Sequence, residues 1–274
     1  MQTLENEMVG HFRILKVIDG KLQAEEDQLA IEDPLEIQLQ SGSKQQSLSV
    51  TMRTPGNDDE LAVGFLFTEG IITHINQIEA VRSESRNRTL VSLKEKETAI
   101  LRNSERNFYT TSSCGVCGKA SIESIKTISP FQNTQDEIRI NRKIFQQLEP
   151  ALRNQQEVFS NTGGLHASGL FSLLGSLIDM REDVGRHNAL DKLIGSMFMQ
   201  DRLPLDKHIL LLSGRASFEL IQKARMAGIK IVAAIGAPSS LAVEMAIENE
   251  MTLIGFLRPS HFNIYSGHQR IIGS

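Results

Sequence analysis

Between positions 209 and 257 the sequence alternates strand and helix with almost no chain to spare for loops. Ile209–Leu212 is a short apolar run, and Arg215–Ala227 follows with Phe218, Ile221, Ala224 and Arg225 at helical spacings. Lys230–Ile235 reads as a second strand, Pro238–Asn249 as a second helix and Thr252–Leu257 as a third strand. A strand that returns through a helix runs parallel to its predecessor, and such crossovers are right-handed. The spacing therefore predicts a parallel α/β unit near the C-terminus.

The first half of the chain has the other periodicity. Ile14–Ile18 leads into Asp19-Gly20, a hairpin-turn signal, and Leu35–Gln40 and Leu48–Arg53 alternate with period two, as antiparallel sheet requires. Pro55-Gly56-Asn57-Asp58-Asp59-Glu60 supplies a turn and an N-cap acid for a helix carrying Leu61, Ala62, Phe65 and Leu66, with Gly70 as its left-handed stop. Thr89–Leu93 and Thr98–Leu101 read as strands, Asn141–Asn154 as a helix, and Leu170–Asp179 as a strand pair. The polar stretch Pro130–Glu137 is the best linker. The expected fold is thus α/β in the broad sense, mixed α+β, with a strand-rich lobe over 1–129 and an α/β domain over 138–274.

At 274 residues, with 40% hydrophobic and 23% charged residues, the chain is long enough for one large core or two small ones. Its formal charge of -4, from 29 basic and 33 acidic residues, provides no global field to hold a polyanion, so no nucleic-acid partner is expected. Apolar runs such as Leu61–Phe67 fall far short of the ~20 residues that cross a bilayer. Met1–Leu22 mixes charges into its apolar residues and lacks a signal-peptide core. A cytoplasmic protein without a membrane partner is the expectation.

The only two cysteines, Cys114 and Cys117, stand three positions apart. A bridge between them would close a tiny loop and restrict the unfolded chain little, so they point to chemistry rather than architecture. Gly115 and Gly118 give the loop freedom, and Lys119 favours thiolate. Sulfur chemistry fits. Zinc binding with His166 or His187, thioredoxin-like oxidoreduction, and two inert small residues in a turn are the alternatives.

Other motifs carry polar groups that are costly to bury. Thr162-Gly163-Gly164-Leu165-His166 reads either as a glycine turn entering a strand or as a ligand contact, and Ser168 stands where a zinc deaminase would carry its proton-shuttling glutamate. If Asp183-Val184-Gly185-Arg186-His187 is helical from Asp183, then Asp183, His187 and Asp191 share one face, a solvated stripe or a site lining. Two strand-to-helix junctions, Ser213-Gly214-Arg215 and Gly236-Ala237-Pro238-Ser239, are suited to anions at helix N-termini, with Pro238 at the first helical position under the capping reading. Arg258 at a strand end can pair with phosphate, and Phe256, Phe262 and Tyr265 can flank a planar heterocycle or simply pack.

Taken in order, Arg53-Thr54-Pro55-Gly56, Glu60–Leu66, Ser113-Cys114-Gly115-Val116-Cys117-Gly118-Lys119, Thr162–His166, Asp183–Ala189 and Ser213-Gly214-Arg215 resemble the formate dehydrogenase accessory protein family, FdhD, from about residue 35 to the end. The resemblance implies a sulfurtransferase that takes sulfane sulfur from a cysteine desulfurase and passes it to the molybdenum cofactor, bis-molybdopterin guanine dinucleotide, of formate dehydrogenase. It also implies a cytidine deaminase-like three-layer fold and a homodimer. Cys114 would carry the persulfide with Cys117 assisting. Cofactor contact would map to Phe256, Leu257, Arg258, Pro259, Ser260 and His261, with Ser213, Gly214 and Arg215 at the adjoining helix N-terminus. The cofactor enters as a bound client, and no permanent metal is expected. The rivals are a non-enzymatic chaperone that binds the cofactor and the dehydrogenase, and a zinc-dependent hydrolase of deaminase type.

Overall fold

A computed structural model describes residues 8–94, 127–131 and 137–273. The expected strand Thr98–Leu101, most of the linker, and both cysteines lie outside the described residues.

The first element is a hairpin of β1 (Val9–Ile18) and β2 (Lys21–Ala30), closed by Asp19 and Gly20 at φ 49° and 76°. Two successive positive φ angles make the turn whose twist matches antiparallel strands. β1 and β2 pair only with each other among the described strands, and Leu15 and Leu22 are each 69% exposed.

Next, β3 (Asp33–Ser41), β4 (Lys44–Arg53), β5 (Ile78–Ser85) and β6 (Arg88–Leu93) form a four-stranded sheet in the order β4-β3-β6-β5. β3 turns Leu35, Ile37 and Leu39 inward, each worth ~1.5–3 kcal/mol on burial. β5 was not legible as a strand in full, because only two of its eight positions, Ile78 and Val81, are strongly apolar and none is fully buried. On this sheet lies α1 (Asp58–Thr68). Its N-cap is Asn57, held at φ 57° without a side-chain cap, rather than an acid, and its burial runs almost all round instead of along one face. Gly70 takes the expected left-handed stop at φ 74°.

The second half opens with β7 (Ile140–Asn141), α2 (Lys143–Arg153) and α3 (Glu157–Thr162), and α2 buries Phe145, Leu148 and Leu152 on one stripe. β8 (His166–Ser172) and β9 (Leu177–Asp183) follow, then α4 (Arg186–Met199), β10 (His208–Leu212), α5 (Phe218–Met226), β11 (Ile231–Ala234), α6 (Ser240–Glu248), β12 (Thr252–Arg258) and β13 (His261–Ser266). The short β14 (Ile271–Ile272) lies parallel to β7. The six-stranded sheet has the order β13-β12-β11-β10-β8-β9, with β10, β11 and β12 parallel as the alternation predicts.

Alternation along these strands splits the interior into two cores. Ile209, Leu211, Ile231 and Ala233 face α2, whereas Leu210, Leu212, Val232 and Ala234 face α4, α5 and α6. The second of these cores continues without interruption into Leu35, Ile37, Leu61 and Leu66 of the first half. The architecture is mixed α+β: helices cover both faces of the larger sheet, and α1 joins it to the smaller one.

Candidate functional site

Several motifs singled out in the sequence meet where α1 crosses α4. Gly64 and Gly195 face each other there; a Cβ on Gly64 would overlap the Asp191 carbonyl oxygen, and one on Gly195 the Glu60 carbonyl oxygen. Only glycine permits this backbone approach.

Around the crossing, every buried charge has a partner. Lys192, 1% exposed, lies 2.7 Å from the Asp183 carboxylate and donates to the Thr54 carbonyl at 2.8 Å. Asn188 Nδ2 donates to Asp183 and to the Met52 carbonyl, and Thr51 Oγ1 donates to Asn188 Oδ1. One turn on, Lys223 Nζ donates to Thr68 Oγ1 at 2.9 Å and to both Asp191 oxygens, with Glu69 at 3.4 Å. Desolvation works to depress the Lys223 ammonium, but Asp191 and Glu69 outweigh it and hold its pKa above the ordinary lysine value. The Arg53 guanidinium is clamped between Asp58 and the Asp33 and Arg86 carbonyls.

This corrects the expectation for Asp183, His187 and Asp191. Asp183 ends β9 and α4 begins only at Arg186, so the three do not share a helical face. Asp183 and Asp191 form neither a solvated stripe nor a site lining: they are internal counter-ions. The groove of about 770 Å³ at the start of α1 is similarly self-satisfied, since Arg53 pairs Asp58, Glu60 pairs Arg181, and Ser83 donates to Asp59.

The opposite condition holds at the rim formed by the carboxyl end of β10 and the start of β8. Ser213 exchanges bonds with β8: its N–H donates to the Ala167 carbonyl at 2.9 Å, and its hydroxyl accepts the Ala167 N–H at 2.8 Å. That anchor brings Gly214 over His166, where an added Cβ would stand 3.2 Å from His166 Nδ1. His166 makes no hydrogen bond with any described residue. Burial, and then the nearby Arg186 and His187, push its pKa below the ordinary histidine value.

His187 Nε2 lies 2.9 Å from Glu219 Oε2 and 3.4 Å from Ser217 Oγ. Both contacts use the same ring nitrogen. A catalytic triad needs carboxylate and hydroxyl on opposite nitrogens, so Ser217 is not an activated nucleophile. Beside this pair, Arg186 Nε is shut off from solvent without a partner, and Ser168 Oγ, 1% exposed, is also unpartnered. A buried donor left unsatisfied costs roughly 1–3 kcal/mol.

The remaining expected site residues sit on the neighbouring strand end. The Gly236 N–H donates to the Gly214 carbonyl and the Phe256 N–H to the Gly236 carbonyl, which zips the two junction loops to β12. Arg215 is exposed. Phe256 is 42% exposed and held at φ 52°, a backbone region that non-glycine residues enter rarely. Leu257 is fully buried in the α2 core, so only its backbone faces the loops. Arg258 Nη1 donates to the Ile235 and Leu257 carbonyls, while Pro259 and Ser260 form the exposed turn into His261. α6 starts at Ser240 with Ser239 as its N-cap, accepting from the Ala242 N–H, so Pro238 precedes the helix rather than opening it. α5 likewise starts at Phe218 and leaves Arg215 in the loop.

Sequence reasoning brought His166, His187, Ser213, Gly214 and Arg215 onto the page, and the fold gathers them at one rim. It weighed Ser168 only as the place of a missing glutamate and Arg186 only as part of a polar run with Gly185 and His187, and it did not single out Glu219. No local signal marked Arg186, because the helix reads from the sequence as opening on the acid Asp183, whereas it starts at Arg186. Among the described residues, no three His, Cys, Asp or Glu side chains converge as metal ligands, and no helix is long and apolar enough to cross a membrane.

Comparison with known proteins finds relatives that match nearly the whole chain. A sulfur carrier protein FdhD from Streptomyces avermitilis is 44% identical over 269 residues, covering 94% of each chain. Another from Mycolicibacterium paratuberculosis is 46% identical over 268 residues, covering 94% of this chain and 97% of the relative. The crystal structure of a protein from Desulfotalea psychrophila, described as a formate dehydrogenase accessory protein, superposes with a TM-score of 0.73 at 22% identity, covering 97% of this chain and all of that one, and so shares the fold. The model of the FdhD/NarQ family matches residues 30–272, and with these relatives it establishes that the chain belongs to that family.

Proposed function

We propose that this chain is a sulfur carrier in formate dehydrogenase maturation, with Cys114 as the carrying residue. One observation carries the reading: relatives named sulfur carrier proteins match 94% of a chain whose only two cysteines form a single Cys-x-x-Cys.

The chemistry is thiol exchange. The Cys114 thiolate attacks the outer sulfur of a persulfide on a cysteine desulfurase; the donor S–S bond breaks as the Cys114 S–S bond forms, and the donor leaves as thiolate. No net oxidation occurs. In the second step the Cys114 S–S bond would break as its outer sulfur bonds to the client cofactor, bis-molybdopterin guanine dinucleotide, which supplies the electron pair, and Cys114 would leave as thiolate, with Cys117 to relay or resolve the adduct. The cofactor's phosphates would meet the N-termini of α5 and α6 with Arg215, and its flat rings would meet the turn from Phe256 to His261. Phe256 offers an exposed ring there, and the exposed Arg215 an unshielded charge. The reading includes a homodimer in the cytoplasm and a deaminase-like core, for which the strand order β9-β8-β10-β11-β12 is the support.

Mass spectrometry after incubation with a desulfurase and cysteine tests it. The protein should gain sulfur, and Cys114→Ala should abolish the gain; a gain unchanged in that variant overturns the assignment. A cysteine-free variant that still activates the dehydrogenase would establish the chaperone alternative, and stoichiometric zinc in the purified protein the hydrolase.

A further inference from the structure

Six large apolar residues stand exposed on the hairpin of β1 and β2: Phe12, Leu15, Val17, Ile18, Leu22 and Leu29. Among the described strands neither β1 nor β2 pairs with any other, and β2 runs beside α3, with Ala30 next to Gly164. A two-stranded ribbon alone in water is marginal and becomes firm when one of its faces is covered. An apolar patch rimmed by polar residues marks a surface that another molecule covers. The hairpin also precedes the family match, which begins at residue 30.

The register sorts the side chains onto two faces. On one, the opposed pairs run from base to tip as His11 with Gln28, Arg13 with Glu26, Leu15 with Ala24 and Val17 with Leu22. Arg13, Glu26 and the four tip residues are all exposed. On the other face Phe12 opposes Asp27 and Ile14 opposes Glu25, whose carboxylate is already bridged by Lys16 at 3.1 Å. The first face therefore offers an aliphatic end and, next to it, a row with the base on β1 and the acid on β2.

That division of charge makes the face complementary to itself. Two ribbons stacked about a two-fold axis along the hairpin lay β1 of one copy over β2 of the other. Arg13 then meets Glu26 of the second copy, Leu15 meets its Ala24 and Val17 its Leu22, and symmetry makes each contact twice. Stacked sheets keep their strands roughly aligned at about 10 Å, which lets all three rows meet. Stacking head to tail over the same length lays β1 on β1 and sets Arg13 on Arg13.

We propose that this face of the hairpin is the contact between two copies of the chain, an aliphatic tip bordered by an alternating square of Arg13 and Glu26 from both. The proposal rests on the homodimer of the preceding reading and adds the surface that makes it.

Sedimentation velocity of the full-length protein tests it, with circular dichroism confirming that each exposed substitution leaves the fold intact. The parent should sediment as a dimer at micromolar concentration, and Leu15→Lys with Leu22→Lys in one chain should raise the dimer dissociation constant at least tenfold. Arg13→Glu sets acids against acids and Glu26→Arg sets bases against bases, so each alone should weaken self-association. Mixed in equal amounts these two variants should associate again, a rescue that a charge pair within one chain cannot produce. With a dimeric parent, a dimer unchanged in the Leu15→Lys, Leu22→Lys chain, or no association in the mixture, overturns the hairpin contact and leaves the homodimer standing. A monomeric parent overturns both; if that monomer binds the dehydrogenase and loses the binding with Leu15→Lys and Leu22→Lys, the face belongs to the client instead. Sulfur gain at Cys114, measured on the same samples, reports separately on the carrier chemistry.

Discussion

The first residue of α4 and the turns that follow it treat charge in opposite ways. Further along the helix, Asn188, Asp191, Lys192 and Ser196 are buried against the first half of the chain, and each finds a partner on β4, β9, α1 or α5. At the helix start, Arg186 Nε has no partner among the described residues. Residue types that look alike in sequence thus do different jobs a few ångströms apart. Where polar groups satisfy one another they hold two sheets together.

The contrast is broken most severely at Lys192. Lys192→Met leaves Asp183 buried without its cation and should cost about 3–5 kcal/mol in urea unfolding. Asp183→Asn in the same chain should return part of the loss, because the orphaned charge goes with it. A cost below about 1 kcal/mol would show that the seam does not rest on paired charge.

A smaller effect is expected at the helix crossing. Gly64→Ala drives a methyl into the Asp191 carbonyl, and backbone cannot yield as a side-chain tip can. The expected loss is about 1–3 kcal/mol, read as an earlier urea midpoint with an unchanged slope.

At the rim the expected effect is one of pH and is the smallest of the three. Folding lowers the His166 pKa, through burial first and the charges of Arg186 and His187 after it. The unfolded chain takes up the proton first as pH falls. The contribution to stability is present above the ordinary histidine pKa and disappears as pH drops toward the lowered folded value. Unfolding free energy measured from pH 7 to pH 5 should therefore fall more steeply in the parent than in His166→Gln; parallel curves would mean that the rim does not perturb this ring.

Period and turn chemistry made much of the fold legible. The parallel strands around Leu210, Val232 and Leu253, the Asp19-Gly20 hairpin and the α2 stripe all follow from local pattern. β5 was harder because neither face is fully buried. The start of α4 was misplaced by three residues because Asp183, an ordinary helix-opening residue, ends a strand whose carboxylate is needed inside. For the site, the motifs were visible but their division of labour was not. Nothing local distinguishes Asp191, committed to Lys223 on another helix, from Arg186, whose Nε has no partner among the described residues; partners so far apart in the chain appear only after folding.

Phe256 has a consequence of its own. A glycine or asparagine would accept its left-handed backbone more comfortably, and its ring, open to water, gives the interior little in return. At such a position durability and usefulness pull apart. A replacement that makes the chain harder to melt while dulling its work would isolate what the ring itself does, free of the usual ambiguity between a damaged scaffold and a damaged tool.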